Sequence, residues 1–266
     1  MSDILLPTSS VRRPRAASTP RDIATMTGRC LRIASRNVDA VITSLMLPVM
    51  MMLLFVYLFG GAIHTGGKYV TYVVPGVLLL CAGFGAGQTA VTISQDLTTG
   101  VVDRFRSMDV RGSALLVGHV AASLVRNAVS TAIVLGVALL IGFRPDATPI
   151  EWVAALGFVA LFILAISTLA AALGLVARSA EAANGMTFFL MFLPYASSAF
   201  VPVETMPTWL HGFADHQPIT PVIETIRGLL VGTPLGHQPA VAAAWCTGII
   251  VVTVAASGAL FARRSA

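Results

Sequence analysis

Lysine is almost missing from this chain: Lys68 is the only one among 266 residues. A P-loop, G-x-x-x-x-G-K-[ST], needs its lysine on the nucleotide phosphates. Lys68 stands instead in Gly66-Gly67-Lys68-Tyr69, so the chain is not itself a P-loop ATPase. Charge of either sign is scarce, at 11% of residues, where soluble domains carry roughly 25%. Apolar types make up 56%, and mean hydropathy is +0.83. A soluble fold of this size has too little interior to hide that much apolar surface, and a disordered chain shows the opposite bias. Cysteine is limited to Cys30, Cys81 and Cys246, with no metal-ligand spacing and no disulfide framework. No H-E-x-x-H and no G-x-S-x-G occurs, so hydrolysis has no visible residue set and no catalytic, metal or cofactor-binding residue is assigned. His211, Asp215 and His216 read as interface polarity. Gly83, Gly85 and Gly87 form a G-x-G-x-G string with no strand before it, and read as small residues for close helix packing.

What the chain has is long runs without charge, at 40–67, 69–95, 152–177, 182–203 and 238–262, with a sixth at 112–143 broken only by Arg126. Each exceeds the ~20 residues that cross the hydrocarbon layer as a helix. Helices are the open-ended way to cross lipid with every backbone group satisfied. The expectation is an all-α, polytopic membrane protein with six transmembrane helices. The net charge of +5 then reads as orientation rather than nucleic-acid binding. With the N-terminus inside, the inner segments hold Arg12, Arg13, Arg15, Arg21, Arg29, Arg32, Arg36, Arg104, Arg106, Arg111, Arg178, Arg263 and Arg264. The outer segments hold only Lys68, Arg144 and Arg227. Both termini are therefore expected in the cytoplasm of a protein of the cell membrane, with the first span kept as an anchor and no removable signal peptide.

Residues 1–20 are rich in Ser, Pro, Thr and Arg and read as a disordered tail. Over 21–37, Ile23, Met26, Cys30, Ile33 and Ala34 fall on one helical face and Arg29, Arg32 and Arg36 on the other, which predicts an interfacial amphipathic helix on the inner membrane surface. The spanning domain then occupies 38–266. Between the fifth and sixth spans, Pro202, Pro207, Pro218, Pro221 and Pro234 forbid one straight helix. Met206, Trp209, Phe213, Ile223, Ile226 and Leu230 keep that stretch apolar, and Thr220-Pro221 and Gly232 read as start and stop signals. An outer re-entrant helical hairpin fits better than a solvated loop, with Glu224 and Arg227 paired on its second helix.

The inner stretch 95–111, QDLTTGVVDRFRSMDVR, carries an apolar ridge of Leu97, Val101, Phe105 and Met108 among charged side chains. Such a short amphipathic helix suits docking into a groove on a soluble partner. Arg126 is the one ionisable side chain inside a long apolar run, and two readings stay open for it: snorkelling to the inner surface, or an intramembrane polar site.

Several strings resemble, in order, the type-2 ABC exporter permeases, and among them the daunorubicin-resistance group. They are Gly60-Gly61-Ala62-Ile63, Tyr69…Tyr72…Pro75-Gly76, Asp96…Gly100…Arg104-Phe105-Arg106-Ser107-Met108, the 200–209 segment FVPVETMPTW, Gln217-Pro218-Ile219-Thr220-Pro221 and Arg227-Gly228. Asp109 stands where that family usually has proline. The resemblance implies a permease that works as a dimer, homo- or heterodimeric, with two copies of a separate ATP-binding subunit. ATP and magnesium would belong to that partner and no cofactor to this chain. The cargo would be a drug or antibiotic, a lipid or a glycan leaving the cell, and composition adds that it is hydrophobic or amphipathic. It also implies that the N-terminal helix and the loop after the second span contact the ATPase, here through Arg29, Arg32, Arg36, Asp96, Leu97, Gly100, Val101, Arg104, Phe105, Arg106, Met108 and Arg111. The outer gate would comprise Pro202, Pro207, Trp209, Phe213, Pro221, Glu224 and Arg227. Two other classes remain: an ion-coupled carrier, which lacks mid-span carboxylates, and a non-transporting membrane scaffold.

Overall fold

The computed structural model describes residues 20–36, 38–63, 67–100 and 112–265. Among them there is no strand, and four helices are long and apolar enough to cross a membrane. The N-terminal helix α1 (Pro20–Arg36) leads to α2 (Val38–Leu54), which holds Pro48 and runs on into a π-helical turn, Phe55–Phe59. The spanning helices are α3 (Tyr69–Thr98), α4 (Gly112–Leu140), α5 (Pro149–Val176) and α9 (Gln238–Ser265). Between the last two lie α6 (Ala180–Phe192), α7 (Thr208–His216) and α8 (Ile219–Val231).

Sequence chemistry explains the ends. At α5, Thr148 accepts from the Glu151 N–H while Glu151 Oε2 accepts from the Thr148 N–H, with Pro149 in the first turn. Ser179 caps α6 through the Ala182 N–H. Gly232 ends α8 at φ 79°, a conformation that glycine adopts without a Cβ penalty. The start of α8 differs from the Thr220-Pro221 expectation: Pro218 holds the N-cap, and the Thr220 hydroxyl donates to Ala214 O instead.

Helix α3 is the axis of the bundle and packs against α2, α4, α5, α6 and α8. Its valines and leucines from Val73 to Leu80 are buried in the main core with Val134, Phe143, Ile163, Val222 and Ile226. Missing side chains let the helices close up. A Cβ on Gly174 of α5 would stand 2.6 Å from Ala90 O, and one on Gly76 would stand 2.5 Å from the Ala199 Cβ.

Two stretches depart from the helices expected of them. In 182–203, α6 stops after 13 residues, a 3-10 turn follows at Leu193–Ala196 where Pro194 lacks the N–H a helix needs, and the chain turns irregular. In 95–111, α3 continues to Thr98 and then breaks at Gly100, φ 71°. Leu97 therefore belongs to the last turn of α3, packed beside Ile93, Ala171 and Leu175, rather than to a separate loop helix. Val101, Arg104, Phe105, Arg106, Met108 and Arg111 lie outside the described residues, as do most of the tail, 1–19, and the side chain of Arg36.

Candidate functional site

The irregular segment after α6 runs at the depth of the bundle, where backbone groups have no water to turn to. Side chains from three distant places satisfy it. Gln217 donates to Ala196 O at 2.6 Å, Tyr72 to Ser198 O at 2.9 Å and Tyr69 to Phe200 O at 2.7 Å. Arg227, 4% exposed, joins them. Its Nη2 donates to Ser198 O at 2.7 Å and to Tyr72 O at 3.1 Å, and its Nη1 pairs with Glu224. The guanidinium also lies 3.8 Å from the centre of the Tyr72 ring, a cation–π contact. Phe200 stacks between Phe55 and Tyr195. One clamp thus holds the start of α3, the irregular segment and α8.

Of the residues assigned to an outer gate, Glu224, Arg227 and Pro221 are in or against this clamp, and Pro221 is buried in the first turn of α8. Pro202 caps a 3-10 turn at Val203–Thr205, and Pro207 caps α7. Trp209 and Phe213 stand outside the clamp on α7, with 79% and 51% of their surface exposed. Tyr69, Tyr72 and Gln217 carried no role in the sequence reading beyond their motif strings. Their partners lie far away in sequence, so only the recurrence of tyrosine at the head of an apolar run could have marked them.

At the other end, Asp96 in the last turn of α3 accepts from His119 Nε2 of α4 at 3.0 Å and from Arg29 Nη1 of α1 at 3.4 Å. Cys30 Sγ lies 3.7 Å from the other ring nitrogen of His119. The apolar face of α1 is buried at Met26 and Cys30 against α4, where Gly118 lets it approach: a Cβ there would meet the Met26 Cβ at 2.9 Å. Two segments expected to dock a partner, α1 and the end of α3, are thereby joined through one carboxylate. Arg32 is exposed on the same helix. The sequence alone assigns His119 no role. Among the described residues no metal-binding group of His, Cys, Asp or Glu occurs.

Arg126 does not run along α4 toward that helix's N-terminal end. Its Nη2 donates to Gly85 O at 2.7 Å and to Thr89 Oγ1 at 2.8 Å on α3. Thr89, Ser123 and Ser167 continue as a chain of buried hydroxyls, each link 2.9 Å, across α3, α4 and α5. Asn127 donates to Ser123 O, and its Oδ1 has no partner among the described residues. Gly85 is what admits Asn127, since a Cβ there would lie 1.8 Å from Asn127 Oδ1.

The family model described as ABC-2 type transporter matches residues 21–231. Over 256 residues, the chain is 29% identical to the daunorubicin resistance ABC transporter permease protein DrrB1 of Streptomyces coeruleorubidus, covering 96% of this chain and 88% of that protein. It is 24% identical over 230 residues to the probable doxorubicin resistance ABC transporter permease protein DrrC of Mycobacterium tuberculosis, covering 85% and 83%.

Proposed function

The chain belongs to the ABC-2 type transporter family, and from that membership we propose that it is the permease subunit of an exporter driven by a separate ATP-binding subunit. Family membership and the apolar helices make it a multi-pass membrane protein. In this reading α2 with its π-helical turn and α6 with its following turn complete six crossings, both termini are cytoplasmic, and α7 and α8 form the outer re-entrant hairpin. Two permeases, alike or different, work with two ATPase subunits, and ATP and magnesium sit in those partners. The relatives named for daunorubicin and doxorubicin resistance favour a drug-like, amphipathic cargo.

The observation that carries the coupling is the Asp96 junction. A partner pushing on the connection after α3 acts on α1 and α4 at once, because Arg29 and His119 share the same carboxylate. In this reading Phe105 is the apolar anchor in the partner's groove. Buried aromatic anchors at interfaces carry about 2 kcal/mol or more, so Phe105→Ala should weaken co-purification with the ATPase while the protein still inserts. Co-expression with such an ATPase should give vanadate-sensitive efflux. Efflux that ignores vanadate and follows a proton gradient would make the chain an ion-coupled carrier, and no efflux with any ATPase would leave a scaffold.

A further inference from the structure

Among the described residues, the only Arg and Lys side chains at the α3 N-terminal end of the bundle are Lys68, Arg144 and Arg227, and all three line one cavity of about 330 Å³. Thr71, Asp146 and Thr233 complete its polar wall. Arg227 is already paired with Glu224 and supplies the floor. The side chains of Lys68 and Asp146 make no ion pair or hydrogen bond among the described residues, and both residues are exposed. Arg144 uses Nη1 on Leu139 O and Phe143 O, which fixes the guanidinium at the rim and leaves its other N–H groups uncommitted. With Arg227 balanced by Glu224, the wall keeps one net positive charge, from Lys68 and Arg144 against Asp146.

Depth supplies the second constraint. The cavity lies where α3 begins, α4 ends and α8 ends, at the polar boundary of the apolar spans. In a spanning bundle the ends of apolar helices of ~20 residues or more meet the headgroup layer. Two cations are unusual beside long apolar helices, and their desolvation is offset when a shared anion sits between them.

We infer that this cavity binds the phosphodiester of a phospholipid headgroup, with Lys68 and Arg144 on the phosphate and Asp146 accepting from a headgroup hydroxyl or ammonium. A phosphodiester carries the single negative charge that the wall lacks. An arginine fork and a lysine point charge are the usual donors to phosphate oxygens. The site shares Arg227 with the clamp and the α8 helix, and it uses neither the Asp96 junction nor the chain of hydroxyls.

The test uses full-chain protein in a neutral detergent, titrated with dioleoylphosphatidylglycerol bearing a fluorescent acyl chain and with the matching diacylglycerol, which has no phosphate. The phospholipid should bind about tenfold tighter, the scale of one or two charge-assisted hydrogen bonds. Lys68→Gln combined with Arg144→Gln should remove most of that preference, and Asp146→Asn should widen it. All three side chains are exposed, so unchanged thermal melting should verify the fold. Inorganic phosphate as competitor separates the sources: displacement at millimolar concentration assigns the site to the anion alone, and no displacement assigns it to the lipid-borne phosphodiester. Equal binding of the two lipids, or a preference that the double variant leaves intact, overturns the site.

Discussion

His119 Nε2 lies 3.0 Å from Asp96 Oδ2, joining the N-terminal part of α4 to the C-terminal end of α3, and Arg29 reaches the same oxygen from α1. His119 and Asp96 are largely shielded, at 5% and 14% side-chain exposure, while Arg29 is at 30%. Asp96→Asn removes the shared acceptor charge. Hydrogen bonds to charged groups contribute about 1.5–3 kcal/mol, and the partial exposure of Arg29 puts the expected loss near the lower figure. Amide exchange across α1 should quicken in the variant while α5 and α9 keep their protection. Unchanged exchange in α1 would mean that the helix is held by Met26 and Cys30 alone.

The clamp at the opposite end separates arginine from any other cation. Arg227 serves Tyr72 O, Ser198 O and Glu224 together and stacks on Tyr72. A lysine cannot span three acceptors and a ring face with one ammonium. Arg227→Lys should lower stability by about 2–3 kcal/mol, the cost of buried acceptors left unpaired. Tyr72→Phe, which loses only the bond to Ser198 O, should cost about 1 kcal/mol. The two measured in a thermal or denaturant series, singly and together, should be non-additive because they share Ser198. Equal small losses would show the clamp to be incidental.

Charge-free runs made the membrane class and most helices readable, because hydropathy over ~20 residues is a local property. The stop at Gly232 was readable for the same reason, whereas the start of α8 fell at Pro218 instead of Thr220. The clamp was not, since Tyr72 and Arg227 meet across 155 residues of chain and nothing local marks the carbonyl of Ser198 as their common target. The Asp96 junction fell between the two cases. Asp96 was legible as a candidate by motif, and α1 by its periodicity. That His119 would face them follows only when α3 and α4 are laid antiparallel and close, which Gly85 permits, with α1 seated on α4 at Gly118. Gly100 takes a left-handed backbone just past the end of α3, which the apolar spacing does not register, and Phe105 lies outside the described residues.

Close approach makes its own prediction at Gly85. An alanine methyl there would collide with Asn127 Oδ1 at 1.8 Å, and that oxygen has no partner to hold it. Overpacking of this kind costs about 1–3 kcal/mol, so Gly85→Ala should lower the melting temperature of the solubilised protein. Adding Asn127→Ser should restore much of the loss, since the shorter side chain vacates the space. A Gly85→Ala protein that melts like the wild type would show that α3 and α4 do not approach as described.

Trp209 decides where α7 lies. The indole is 79% exposed and Phe213, four residues on and so on the same face, is 51% exposed, while Ala214 is buried against the bundle. Two large aromatic side chains turned outward from a short helix are costly in water, at about 1.5–3 kcal/mol for each that would otherwise be buried. They are favourable at a membrane interface, where an indole has both an apolar ring and a polar N–H to place. With Trp152 and Trp245 replaced by Phe, Trp209 emission in vesicles should be blue-shifted, quenched by lipids brominated on their acyl chains and little affected by aqueous iodide. In detergent-free buffer with an amphipathic polymer, Trp209→Ala should shift the protein toward monodisperse behaviour, because the patch that seeks lipid is smaller. Free quenching by iodide in vesicles would instead place α7 in solvent, and the segment from Pro202 to Gln217 would then be an exposed arm over the clamp rather than part of a re-entrant hairpin.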